Sequence, residues 1–242
     1  MRKFAVAILG VLVAVLTVCS VCFAGVTTVT SPPGAFSTGW NLFALPAFPT
    51  QPAPGSVFDE LGGNEGLGAR GVYRWDAPTQ QLLLFSASAP GDFGNILPGD
   101  GYWVYLKTGD PTTISFTGIT DQDSTDMWIS LPRAGWTLIG YPYSYPAPDS
   151  EPGEPFFAGD AYPWESVNVT DGTVTKTLYE ASQRGMCWID SNAYWFDSVT
   201  QGTLDIGLPE DFPMSDSMVA WHGYWVKSYK DNLALIMEAR EP

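Results

Sequence analysis

The chain repeats itself, and in the same order. Gly39-Trp40-Asn41-Leu42-Phe43-Ala44-Leu45-Pro46 returns 96 residues later as Gly135-Trp136-Thr137-Leu138-Ile139-Gly140-Tyr141-Pro142. Gly101-Tyr102-Trp103-Val104 returns as Gly223-Tyr224-Trp225-Val226. Between them, Val72-Tyr73-Arg74-Trp75-Asp76 with Thr79-Gln80 matches Ala193-Tyr194-Trp195-Phe196-Asp197 with Thr200-Gln201. Three matched blocks in one order imply duplication of a structural unit, so the fold must be one that two copies of that unit can build.

The unit is β-rich. Its apolar runs are short, carry aromatic and β-branched residues, and stop at Gly, Pro, Asp or Thr, with no helical period. In the first copy strands are expected near Val26–Thr30, Trp40–Leu45, Gly71–Trp75, Leu82–Ser86, Tyr102–Lys107 and Thr113–Thr117. In the second they are expected near Asp126–Leu131, Trp136–Tyr141, Ala193–Asp197, Thr203–Ile206, Tyr224–Ser228 and Leu233–Met237. Asp76 to Gln80 and Asp197 to Gln201 read as hairpin loops, with Asp positioned to hydrogen-bond the loop backbone. The fold class is therefore all-β, with two related antiparallel units at 25–120 and 121–242. They pack either as separate small barrels or sandwiches or as two halves of one pseudo-two-fold body.

The copies differ by an insertion. Pro46 to Tyr73 spans 27 residues and Pro142 to Tyr194 spans 52. The extra stretch, around 147–190, holds a hairpin signal at Asp171-Gly172. It also holds one short helix over Thr177–Arg184, where Thr177 and Glu180 have capping-box spacing and Gly185 supplies a stop.

Before the first unit, Arg2 and Lys3 precede an apolar stretch from Phe4, and Cys22-Phe23-Ala24 ends it with a peptidase-type site. Residues 1–24 read as a signal peptide cleaved near Ala24, with an uncleaved membrane anchor as the alternative. Cleavage removes Cys19 and Cys22 and leaves Cys187 alone, a small buried apolar residue in expectation, so no internal disulfide can form. It also leaves nine basic residues against 26 acids, a net charge of −17. That field disfavours nucleic acid and anionic lipid as partners; a membrane contact would run only through an uncleaved N-terminus.

Residues present in both copies are expected to serve the shared fold. Trp40 and Trp136, Tyr73 and Tyr194, Tyr102 and Tyr224, and Trp103 and Trp225 are accordingly read as core. Unmatched aromatics are the binding candidates. Trp195 stands where the first copy has Arg74, a position read as water-facing, on the face opposite Tyr194 and Phe196. Tyr141, Tyr143 and Tyr145 alternate with other residues and share one face. Trp164, Trp188 and Trp221 also lack aromatic counterparts. Oxygen donors at Asp121, Asp123 and Asp126 offer a weak calcium site without the glycine and terminal Glu of an EF-hand loop. Otherwise no cofactor is implied. His222, the only histidine, stands where the first copy has Asp100, in a turn. No nucleophile-elbow, zinc or phosphate-cradling motif occurs, so no catalytic residues are assigned.

The Gly39–Pro46 and Gly101–Val104 segments, with the closing Trp221 to Ile236 stretch, resemble those of uncharacterised secreted bacterial β-repeat proteins. These carry Gly-Trp-Asn-Leu-x-x-Leu-Pro-type and Gly-Tyr-Trp-Val-type segments. The resemblance covers most of 36–238 and implies an exported surface or extracellular module; it brings no chemistry. The leading expectation is a non-catalytic module, secreted or at the cell surface, acting in envelope structure or surface protein contact. A carbohydrate-binding module working through the exposed aromatics is the alternative, and a glycan-active enzyme the third reading.

Overall fold

The computed structural model describes residues 25–119, 125–143, 162–185, 187–208 and 217–239. The signal-like stretch, Tyr145, Asp121, Asp123 and the acidic run from Asp149 to Asp160 lie outside the described residues. In chain order the strands are β1 (Val26–Thr30), β2 (Gly39–Ala44), β3 (Phe48–Pro49), β4 (Val72–Asp76), β5 (Gln81–Leu84), β6 (Gly101–Leu106), β7 (Ser115–Ile119), β8 (Met127–Leu131) and β9 (Gly135–Gly140). There follow β10 (Tyr162–Pro163), β11 (Asn168–Thr170), β12 (Thr175–Thr177), β13 (Ile189–Asp197), β14 (Gly202–Ile206), β15 (Ser217–Met218), β16 (Gly223–Ser228) and β17 (Leu233–Met237). The strands expected from the sequence appear, most with ends shifted by a residue or two.

Duplication is visible in the pairing. The first half builds a sheet in the order β2-β6-β4-β5; the second builds β9-β16-β13-β14 from the matching segments. Outside these lie β1-β7-β3 in the first half and β8-β17-β11-β12 in the second, where the insertion contributes β11 and β12. A two-stranded sheet, β10-β15, completes the set among the described residues, where every strand pairing is antiparallel. The four larger sheets stand in a ring, a propeller-like arrangement.

The expectation from the sequence is two units, either as separate small barrels or sandwiches or as halves of one pseudo-two-fold body; the ring of sheets corrects it, because the sheets do not separate into two units. The halves interlock. Phe43 bridges His222 and Asp100 bridges Ile139 across the boundary. A Cβ on Gly101 would stand 2.6 Å from Leu138 Cγ, and one on Gly223 3.0 Å from Leu42 Cγ, so glycine at both places lets the halves approach. The hairpin tips are exchanged as well. Gln80, from the β4–β5 hairpin, donates through Nε2 to Trp136 O (2.8 Å) and accepts from Trp136 N (2.8 Å). Gln201, from the β13–β14 hairpin, donates to Trp40 O (3.0 Å) and accepts from Trp40 N (3.1 Å). The glycine before each Trp is thereby explained. Gly39 and Gly135 have φ of 106° and 139°, and a Cβ on them would strike the Gln201 and Gln80 side chains at 2.9 and 2.3 Å.

Buried side chains from both halves form one continuous cluster. Strand alternation sends Phe43, Tyr102, Val104 and Val72 inward in the first half, and Ile139, Tyr224, Val226 and Ala193 in the second. Each fully buried large ring contributes roughly 1.5–3 kcal/mol.

The insertion folds as its local signals require. β11 and β12 pair around Asp171-Gly172, with Asp171 Oδ1 accepting from Thr173 N and Val174 N. The helix runs over Leu178–Ser182 with both capping-box bonds in place, Glu180 N to Thr177 Oγ1 at 3.2 Å and Thr177 N to Glu180 Oε2 at 3.1 Å. Short helices at Pro54–Val57, Gly63–Gly68 and Pro90–Phe93 have no such sequence signal.

Candidate functional site

The aromatics shared by the two copies divide by strand face. Tyr102 and Tyr224 are buried. Trp40 and Trp136, expected in the core, are each 37% exposed, and Tyr73, Tyr194, Trp103 and Trp225 are only partly buried. The reason is register. Opposite residues on antiparallel strands share a face, and Trp136 opposes Lys227 while Tyr194 opposes both Trp225 and Asp205. Rings and charges thus occupy one face, and its outer part extends past the contact between the halves.

On that face the second half holds an apolar pocket of about 410 Å³, lined by Trp75, Trp136, Tyr194, Thr203 and Trp225. Its volume falls within the roughly 300–1,000 Å³ of small-molecule sites. The walls stand steeply to one another. Trp75 meets Trp225 at 5.0 Å and 81°, Trp136 meets Trp225 at 6.4 Å and 87°, and Trp136 meets Tyr194 at 5.8 Å and 67°. Trp75 comes from the first half and is pinned there: its indole N–H donates to Trp136 O at 2.6 Å. Both halves therefore build the pocket.

The equivalent place in the first half is composed differently. Phe196 stands for Trp75 and meets Trp103 at 4.9 Å. Leu82 stands for Thr203, as their pairing with Trp75 and Phe196 shows. Tyr105 stands for Lys227 and lies against Trp40 at 5.2 Å, whereas Lys227 places Nζ 5.6 Å from the Trp136 ring.

The aromatics expected to present a binding platform are elsewhere. Tyr141, Tyr143 and Trp164 are buried, so they form no exposed row. Tyr141 and Tyr143 do lie together, at 5.5 Å, but their common surroundings are interior: Tyr141 packs on Tyr162 and the Tyr143 hydroxyl donates to Met237 O at 2.6 Å and accepts from Met127 N. Trp164 donates its indole N–H to Ser191 O at 2.8 Å. Trp188 is partly buried, with Lys176 Nζ and Lys230 Nζ 4.1 and 4.2 Å from its ring. Trp221 is buried against Phe36 and Phe116.

Trp195 is not the open indole expected. It is partly buried and stacks on His222 at 4.8 Å and 16°. Its counterpart Arg74 is likewise tucked in, with the guanidinium 5.7 Å from the Phe93 ring and a buried Nε. Arginine at the matching place therefore did not mark a wet position, because its stem and head can lie along apolar surface. Burial beneath Trp195 lowers the His222 pKa to about 4, outweighing the charge of Asp197.

Asp126 spends one carboxylate oxygen on Ala239 N (2.9 Å). Among the described residues no three His, Cys, Asp or Glu side chains converge to hold a metal. Cys187 is partly buried, its thiol donating to Ile189 O at 3.0 Å, and burial raises its pKa. A second cavity, about 450 Å³, runs along β7 beside Asp59 and Glu60; Glu60 accepts from Ser115 N at 2.8 Å.

Sequence reasoning missed Trp75 and Thr203 and assigned Trp136, Tyr194 and Trp225 to the interior. A signal was present. Trp225 is followed two residues later by Lys227, and Thr203 by Asp205, whereas Tyr224 is followed by Val226. A charge at the next position on the same face marks that face as solvent-side.

No known protein family, no curated protein and no solved structure matches this chain.

Proposed function

We propose that this protein is an exported, non-catalytic β module that works by binding, and that the pocket between Trp75, Trp136, Tyr194 and Trp225 is its site. The observation that carries this reading is that rings contributed by both halves stand around a 410 Å³ space on the solvent-side face. Three tryptophans and a tyrosine supply large apolar contact at low entropic cost, and the Thr203 hydroxyl and Tyr194 supply the polar fixing points common to small-ligand sites. Export is supported by the N-terminal segment, with the basic pair, apolar run and small-residue end of a signal peptide. The absence of a catalytic assignment rests on the motifs the sequence lacks and on a pocket walled by rings rather than by paired acids or a base.

Tryptophan fluorescence tests the reading. The folded protein is titrated with soluble oligosaccharides, quaternary ammonium compounds and Pro-rich peptides, alongside a Thr203→Trp variant that fills the space from the edge strand. Saturable quenching by one class, lost at least tenfold in the variant, is expected. Binding unchanged by Thr203→Trp, or no saturable response to any class, contradicts the site. Turnover of a bound glycan that a single Asp or Glu substitution abolishes contradicts the non-catalytic assignment.

A further inference from the structure

We infer that the pocket takes a quaternary ammonium group, held by its ring faces and by the acidic surface beside it. The inference rests on the binding role proposed above and names the ligand class.

Shape comes first. Neighbouring walls meet at 81°, 87° and 67°. Each of these three contacts is edge-to-face, so adjoining walls turn sharply and box a compact group rather than offering the broad flat face on which a sugar ring stacks. A trimethylated ammonium is nearly spherical.

Charge comes second. An aromatic face carries the negative side of the ring quadrupole and attracts cations, most strongly at Trp. This chain already uses its indoles so: Lys227 Nζ lies 5.6 Å from Trp136, and Lys176 and Lys230 both lie close to Trp188. Asp205 opposes Tyr194 across β13 and β14 on the pocket face. Burial, then the charges of Asp190 and Asp205, push the Tyr194 hydroxyl up in pKa, in keeping with the place of Asp205 opposite Tyr194. Lys227, the cation on this face, is held over the Trp136 and Tyr229 rings. The whole sequence carries a formal charge of −15, which draws cations toward the surface.

Lining chemistry decides which cation. Among the described residues, four rings and Thr203 line the space, and no carboxylate does. A primary ammonium would leave its donors short of acceptors there. A quaternary ammonium has no N–H to satisfy and brings an apolar methyl skin with a net charge.

Isothermal titration of the protein with choline chloride, against its neutral isostere 3,3-dimethylbutan-1-ol and with sodium chloride matching ionic strength, tests this. Choline is expected to bind at least about tenfold more tightly than the isostere. Asp205→Asn is expected to weaken choline several-fold without altering the isostere, and Thr203→Trp to abolish both. Pelleting with phosphatidylcholine vesicles then separates sources: co-sedimentation, lost on Thr203→Trp, assigns the group to a lipid headgroup, and free choline binding without it assigns a soluble compound. Equal affinity for choline and the isostere overturns the inference. So does binding of an oligosaccharide in place of choline, which leaves the pocket's binding role standing; choline binding that survives Thr203→Trp overturns both.

Discussion

Matched positions in the two halves hold different chemistry, and the difference is paired. Where the second half stacks Trp195 on His222, the first has Arg74, whose charge acts on Asp100. The same two positions thus carry opposite charges that attract one another in the first half and an aromatic stack in the second. The stack has a consequence for pH. His222 has a folded pKa of about 4, below the ordinary 6.5, so the unfolded chain takes up a proton that the folded one refuses. The stability tied to this neutrality is complete above pH 6.5 and is lost as pH falls toward 4, by about 2–3 kcal/mol. Urea midpoints at pH 7 and pH 4.5 should converge for wild type and His222→Gln at the lower pH if the wild type carries this loss. A pH dependence identical in the two proteins contradicts it. From the sequence, the placement of His222 in a turn was legible. The neutral stack was not, because the partner above it stands 27 residues away and the ring overlap depends on two strands meeting.

At the scale of elements, local chemistry was readable and tertiary chemistry was not. The Leu178–Ser182 helix and the Asp171-Gly172 hairpin follow from side chains that bond their own backbone. The Gly63–Gly68 helix has poor intrinsic propensity and exists because of what surrounds it. Leu67 is buried, Arg70 Nη1 donates to Leu61 O and Gly66 O, and a Cβ on Gly66 would collide with Leu61 O. The glutamines at the hairpin tips are the same kind of case. Thr-Gln was visible as a repeated dipeptide, but its reach into the opposite half was not. Gln80 and Gln201 each satisfy both backbone groups of a Trp in the other copy, from left-handed positions at φ 58° and 55°. Gln80→Ala and Gln201→Ala are each expected to destabilise the fold by about 1–2 kcal/mol, measured by chemical denaturation. An effect below about 0.3 kcal/mol in both would remove the exchanged tips from the account.

For the whole molecule, the repeat implied one shared unit in each half, and the two matching four-stranded sheets have equivalent strand orders. It did not fix how the halves meet. Alternation says that Trp136 and Trp225 share a face, yet whether that face is interior depends on how far the opposing sheet extends over it. Here Leu42 and Leu138 press on the glycines of the other copy, and the rings beyond them remain at the surface. Duplicated rings therefore form part of the core and, with Trp75 crossing from the other half, a pocket. Such a pocket requires that neither half folds apart from the other. Scanning calorimetry of residues 25–242 tests this most directly. A single transition whose calorimetric and van't Hoff enthalpies agree is expected; two resolved transitions, each carrying about half the enthalpy, would contradict the interlocked assembly and the site that depends on it.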